Sequence, residues 1–443
     1  MTLTRTRTQE LFHRAKQVFP YGVNSNFRYW GEQETKVFVR GEKCYVFDAD
    51  ENRYIDYRLG FGPVILGHGY PAVVERVTQA IKDGTVYAGT HPLEITVGER
   101  IKRMTGLDKV RYANSGTEAT MHALRIARAH TNREKFIKFE GTYHGMYDYA
   151  LFSTTIGQAR SMGSRRSPIR IASSSGIPYG IGEYVYTLPY NDLDLLRRTV
   201  KAHWGDIAAI MVEPMMGNNA SVMPVPGFLE LMRELCTEYG IVLIIDEVKT
   251  GFRIANGGAQ EYFHVKADLA TYAKSVANGF PLAAIAGTDE IMSVIQPGRV
   301  AQGGTYCGNI PGTAAADATL EILETQPILD TIKKRGKRLM NGIDKILTEA
   351  NIPHALMGLP QMFGFVLGID HAPTNYRDAL DTNMRLYEQI MMAMIERGAM
   401  PEPDNREPWF LCYDHTDEVI DETLNIFYDS VKAVIRTGEA RLS

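Results

Sequence analysis

The stretch Ile241-Val242-Leu243-Ile244-Ile245-Asp246-Glu247-Val248 decides the fold. A short, unbroken apolar run reads as a strand covered on both faces, as in a parallel sheet layered with helices. It ends in two acids. In open α/β sheets, ligands bind outside the carboxyl ends of the strands, so Asp246 and Glu247 stand where chemistry is done.

Working outward, the pattern repeats. Ile207–Val212 and Leu269–Ala273 read as further strands, and Thr117–His130 and Phe228–Tyr239 as amphipathic helices. Strands alternating with helices from about Tyr70 to Asn309 predict parallel βαβ units. The flanks differ. Gln9–Val18 is helix-like, and Val37–Arg40, Cys44–Phe47 and Arg53–Tyr57 read as a small antiparallel sheet. Residues 313–349 read as helical. Ile420, Leu424, Phe427, Val431 and Val434 mark one face of a tail helix, introduced by Thr416-Asp417-Glu418. The expectation is an α/β fold. A large domain (71–312) carries a mostly parallel central sheet, and a smaller α+β domain is built from both chain ends (1–70 and 313–443).

Composition bounds the function. The 443 residues suggest two to four folding units. Hydrophobic residues at 44% and charged residues at 23% exclude wholesale disorder. A net charge of −4 offers no broad attraction to nucleic acid or to an anionic membrane. Cys44, Cys236, Cys307 and Cys412 form no Cys-x-x-Cys pair, so neither a disulfide scaffold nor a structural zinc is expected. The polar, basic start lacks a signal-peptide core, and the longest apolar runs fall far short of a membrane span. A cytoplasmic protein is expected.

Three constellations carry possible chemistry. In Asn114-Ser115-Gly116-Thr117-Glu118-Ala119, Ser115 and Glu118 form a capping box, so a helix starts here. Its N-terminus, with Ser, Gly and Thr, makes a cradle for an anion such as phosphate. Asp246-Glu247 has three readings: magnesium-binding acids of a nucleotide hydrolase, an acid pairing with a protonated ring nitrogen, or solvated acids. The first needs an upstream G-x-x-x-x-G-K-[ST] loop, which the chain lacks. Lys274 ends the run Leu269–Ala273, so it points into the same crevice as Asp246. There desolvation lowers its pKa and makes its amine a nucleophile. Taken singly, these features also describe a capped helix, solvated acids and a surface lysine. Taken together, a phosphate cradle, an acid for a ring nitrogen and an amine for an aldehyde are the handles of pyridoxal 5′-phosphate. Tyr143, in Gly141-Thr142-Tyr143-His144-Gly145, is a candidate to stack on that ring.

Asn114–Ala119, Tyr143-His144-Gly145, Val212-Glu213-Pro214, Asp246-Glu247-Val248, Lys274 and Gly304-Thr305 through Gly308-Asn309 occur in one order along the chain. In that order the sequence resembles the class III (ω) pyridoxal-phosphate aminotransferases of fold type I. Gly22–Arg28, Glu213–Asn218, Pro189–Asp192, Gly251–Arg253 and Met362–Phe365 resemble the glutamate-1-semialdehyde 2,1-aminomutase branch. The resemblance implies a homodimer with sites at the subunit interface. Lys274 would form the Schiff base and move the proton, and Asp246 would pair with the ring nitrogen. Val248 would face the ring opposite Tyr143. Ser115, Gly116 and Thr117 would hold the phosphate, completed by Thr305 of the neighbouring subunit. Asn218 would lie near the ring hydroxyl, Arg28 would bind a substrate carboxylate, and Glu407 would neutralise Arg28 in its absence.

The implied activity is ping-pong transfer of an amino group from an amino acid or amine donor to a keto acid or aldehyde. Intramolecular transfer by an aminomutase is the alternative. Two departures stand out: Lys249 follows Asp246-Glu247-Val248 where relatives carry an uncharged residue, and the segment Ser153–Ile181 is rich in arginine. Trp30, Tyr57, Phe61 and Tyr87 are read either as an aromatic pocket or as core.

Overall fold

Seven strands form the central sheet of this computed structural model, which describes residues 3–155 and 159–436. Residues 1–2, 156–158 and 437–443 lie outside the described part, and with them the first two residues of the chain start and part of the segment 153–181. Across the sheet the order is Lys109–Ala113, Ala283–Gly287, Leu269–Tyr272, Val242–Asp246, Ile207–Val212, Lys135–Phe139 and Val185–Leu188. The pairs among the last five strands are parallel. Ala283–Gly287 runs against both its neighbours. The sheet is therefore mostly parallel, as the apolar runs predict. Val242–Asp246 and Ile207–Val212 are buried along their whole length because helices cover both faces.

The helix Gly116–Thr131 lays Ala119, Ala123 and Ala127 on the sheet, with Leu124 and Ile126 beside them. Three alanines let its axis come close. The helix Phe228–Tyr239 buries Phe228, Leu231, Met232 and Leu235 and stops at Gly240, whose φ of 60° ends the helix in the left-handed conformation. Ala283–Gly287 was not legible as a strand: its sequence is Ala-Ala-Ile-Ala-Gly, low in β-propensity, and burial between two strands overrides that preference.

The chain ends share structure. Phe38–Glu42, Tyr45–Asp48 and Arg53–Asp56 form an antiparallel sheet, and Ala399–Met400 adds to it in parallel beside Arg53–Asp56. The tail helix Asp417–Arg436 buries Ile420, Phe427, Val431 and Val434. The helical stretch read over 313–349 is two helices, Ile310–Thr325 and Ile328–Glu349. Gln326 between them is extended, because a residue before proline is pushed out of the helical region.

Arg253 ties these parts together. Its guanidinium, fully buried, donates to the carbonyls of Gly62, Leu411 (2.9 Å) and Gln361 (3.2 Å). Burial without a carboxylate lowers its pKa to about 10. Among the described residues, no helix is long and apolar enough to cross a membrane.

Candidate active site

Adjacent side chains on a strand point to opposite faces, which separates the two acids that end Val242–Asp246. Glu247 faces away from the crevice. It accepts from the amides of Ala259 (2.7 Å) and Gln260 (3.1 Å) at the start of the helix Gly258–Phe263, and from the Thr250 hydroxyl. Burial raises its pKa to about 7. It is an internal helix cap.

Asp246 faces the crevice at 4% exposure, and three donors fix its carboxylate. His144 Nδ1 lies 2.7 Å from Oδ2. The Thr271 hydroxyl and the Val248 amide each lie 3.1 Å from Oδ1. The parallel register sets Asp246 opposite Thr271. A carboxylate accepts, so His144 donates from Nδ1. Its Nε2 is buried without a partner.

Lys274 follows the neighbouring strand. It opens the short turn Lys274–Ala277 with φ 52°, a left-handed conformation that costs a non-glycine residue roughly 1–3 kcal/mol. The Asn278 side chain, bonded to Leu66 N (2.9 Å) and Gly67 O (3.1 Å), holds the end of that turn. The Lys274 amine donates to Phe61 O at 2.9 Å. Burial, reinforced by the Lys249 charge, lowers its pKa to about 7, against the pull of Glu407, Glu213 and Asp246. Lys274 is thus poised to be an uncharged amine near neutral pH.

The anion cradle forms at the N-terminus of Gly116–Thr131. The Ser115 hydroxyl accepts from Glu118 N at 3.2 Å. Glu118 returns to Asn114 N at 2.7 Å, one residue before the cap rather than at it. The amides of Gly116 and Thr117 have no partner within the helix. Gly145 lets the Tyr143 loop close onto this end: a Cβ there would lie 2.7 Å from Thr117 Cα. At Gly116 a Cβ would press on Val248 at 3.0 Å. Thr117, Val248 and Tyr143 therefore converge, and burial moves the Tyr143 phenol up to about 12.

Tyr143 and Asn218 line a cavity of about 850 Å³ with Phe61, Trp30 and Glu407. Glu213 is buried beneath Tyr143 and accepts from Tyr143 N (2.7 Å) and Gly217 N (2.9 Å). Of the aromatic candidates, Trp30 and Phe61 line this cavity, Tyr57 is in the core, and Tyr87 is exposed.

Two expected placements come out differently. Arg28 is exposed in the short turn Asn26–Arg28 and lines a neighbouring cavity with Lys36, Arg40 and Arg58. Asn26 and Phe27, not Arg28, face the large cavity. Glu407 pairs with Lys249 at 2.8 Å instead of neutralising Arg28, because Lys249 is buried beside it. Thr305, expected at the cradle of a neighbouring subunit, lies in an exposed turn of its own chain. Sequence reasoning gave no role to His144, Thr271, Glu213 or Lys249. His144 lay inside a quoted motif, and Lys249 was visible as a departure.

The donor set fits pyridoxal 5′-phosphate. Free helix amides suit the phosphate, a fixed carboxylate suits the ring nitrogen, and an amine of lowered pKa suits the aldehyde. Fold and site define an enzyme of amine–carbonyl chemistry. The sequence profile of the aminotransferase class-III family matches residues 29–421, and the chain belongs to that family, whose cofactor is pyridoxal 5′-phosphate. A glutamate-1-semialdehyde 2,1-aminomutase from Thermus thermophilus is 39% identical over 427 residues, 95% of this chain and 98% of that protein. The structure of an ω-transaminase from Sphaerobacter thermophilus superposes with a TM-score of 0.90 at 30% identity, covering 96% of this chain and 97% of that one. A transaminase with the cofactor bound superposes with a TM-score of 0.89 at 26% identity, covering 99% and 100%.

Proposed function

We propose that the protein moves amino groups at Lys274, and that its particular reaction is the intramolecular one of a glutamate-1-semialdehyde 2,1-aminomutase. The observation carrying the amino-transfer chemistry is that Asp246 and Lys274 lie at the carboxyl ends of adjacent parallel strands, with Asp246 among the charges that act on the Lys274 amine. The substrate rests on the aminomutase relatives, which favour the mutase over the two-substrate transfer read first from the sequence.

When bound, the cofactor supplies an electron sink for a carbanion. The chain supplies the rest. Ser115, Gly116 and Thr117 hold the phosphate, with Thr305 of a second copy of the chain. Asp246, fixed by His144, Thr271 and the Val248 amide, would keep the ring nitrogen protonated. Tyr143 and Val248 would hold the ring. Lys274, with a pKa near 7, takes and returns the substrate proton as general base and acid. The active form is a homodimer, its smaller domain is built from 1–70 and 313–443, and it works in the cytoplasm.

A specific observation favours a second reading, aminotransferase with separate donor and acceptor. Arg28 faces away from the large cavity, and the Arg58, Arg406 and Lys249 charges near it are each paired with a carboxylate: Glu402, Asp404 and Glu407. The likeness to the ω-transaminase points the same way. The test offers glutamate-1-semialdehyde alone, then amine donors with pyruvate or 2-oxoglutarate. Conversion of the semialdehyde alone supports the mutase; conversion only with a donor and an acceptor rejects it.

A further inference from the structure

Lys249 occupies a place that the chemistry above does not use. It lies three residues beyond Asp246, its side chain is 7% exposed, and three acceptors hold its amine. They are the carbonyl of Gly217, Asn218 Oδ1 at 2.8 Å and Glu407 Oε2 at 2.8 Å. The site is built around it. A Cβ on Gly217 would lie 2.5 Å from Lys249 Cδ and 3.0 Å from Glu213 Oε2, so only glycine lets the lysine stem pass between. The Phe410 ring lies 5.7 Å from the amine.

An ammonium only donates. The Asn218 oxygen must therefore face Lys249, and the Asn218 NH₂ must face the other way, where the Glu213 oxygens lie at 3.4 Å. Asn218 also lines the large cavity. We infer that Lys249 is a positioning residue for the bound cofactor: it fixes the Asn218 amide so that a donor is offered to the ring hydroxyl oxygen, and it sets the charge of its pair with Glu407 against Lys274. The inference rests on the pyridoxal-phosphate reading above. The charged groups facing Lys274 are Lys249, Glu407, Glu213 and Asp246, and the first two pair with each other. Removing one member of that pair exposes Lys274 to the other.

Two substitutions of opposite sign test this by titrating the visible absorption band of the loaded protein. Lys249→Met removes a positive charge and moves the midpoint up by about one pH unit. Glu407→Gln removes a negative charge and moves it down by about the same or less. Opposite movements are the signature, since general loosening of the site would shift both variants alike. Midpoints that do not move, that move together, or that are absent from all three proteins overturn the role of Lys249. If Lys249→Met fails to load, Lys249→Gln takes its place and must move the midpoint up. A parent protein with no visible band overturns the cofactor reading instead, so the two failures are distinguishable.

Discussion

Two parts of the candidate site are built on different principles: the ends of the sheet strands, and the large cavity beside them. At the strand ends, Asp246 closes one strand and Lys274 follows the next, and donors from the sheet and the Tyr143 loop fix the acid. In the large cavity, side chains come from the turn Asn26–Arg28, the helix Met384–Ile395 and the segment 402–407, where Glu402, Asp404 and Glu407 are paired with Arg58, Arg406 and Lys249. In the proposed reaction the first would fix the geometry and the second would select what reacts. The difference teaches that chemistry conserved by a sheet is set by strand register, whereas specificity is set by which ion pairs a ligand can rearrange.

If the strand ends are the rigid part, substitutions there dominate. Lys274→Ala should lower kcat by more than about 10³-fold in steady-state assays, because no other amine follows that strand end. Asp246→Asn should still bind the cofactor but slow proton removal by about 10²-fold, read by stopped-flow absorbance with amine alone. Unchanged rates there would remove Asp246 from the mechanism. The rate of cofactor uptake by the apoprotein should rise with pH and level off above about 7. The Lys274 amine is uncharged above its lowered pKa and protonated below it, so a midpoint above about 10 would mean that burial does not act on this lysine. Thr271→Val removes one of three bonds to Asp246 and should cost about 1 kcal/mol, roughly five- to tenfold in kcat. The smallest effect belongs to the other part: Arg28→Ala should change KM by less than about threefold. A large rise in KM would show that Arg28 swings into the cavity when substrate binds, and would erase the contrast drawn above.

The same contrast explains what the sequence disclosed. Val242–Asp246 and Ile207–Val212 were legible because complete burial leaves an unbroken apolar run. Ser115 and Lys274 were legible because a cap and a strand end are local features. Ala283–Gly287 was hidden, since its strand character comes from neighbours and not from its own alanines. The separate fates of Asp246 and Glu247 were hidden too, because alternation along a strand does not say which face holds the cavity. The partner of Glu407 was beyond reach: Lys249 and Glu407 are far apart in sequence, and only the Gly217 turn brings the lysine to it. Long-range ion pairs leave no period in a sequence.

The most direct test of the central claim is borohydride treatment of the loaded protein followed by peptide mapping. The account predicts loss of the visible band and a single stable pyridoxyl label on Lys274. A label on Lys249, a second buried amine near the cavity, or on any other lysine would contradict it.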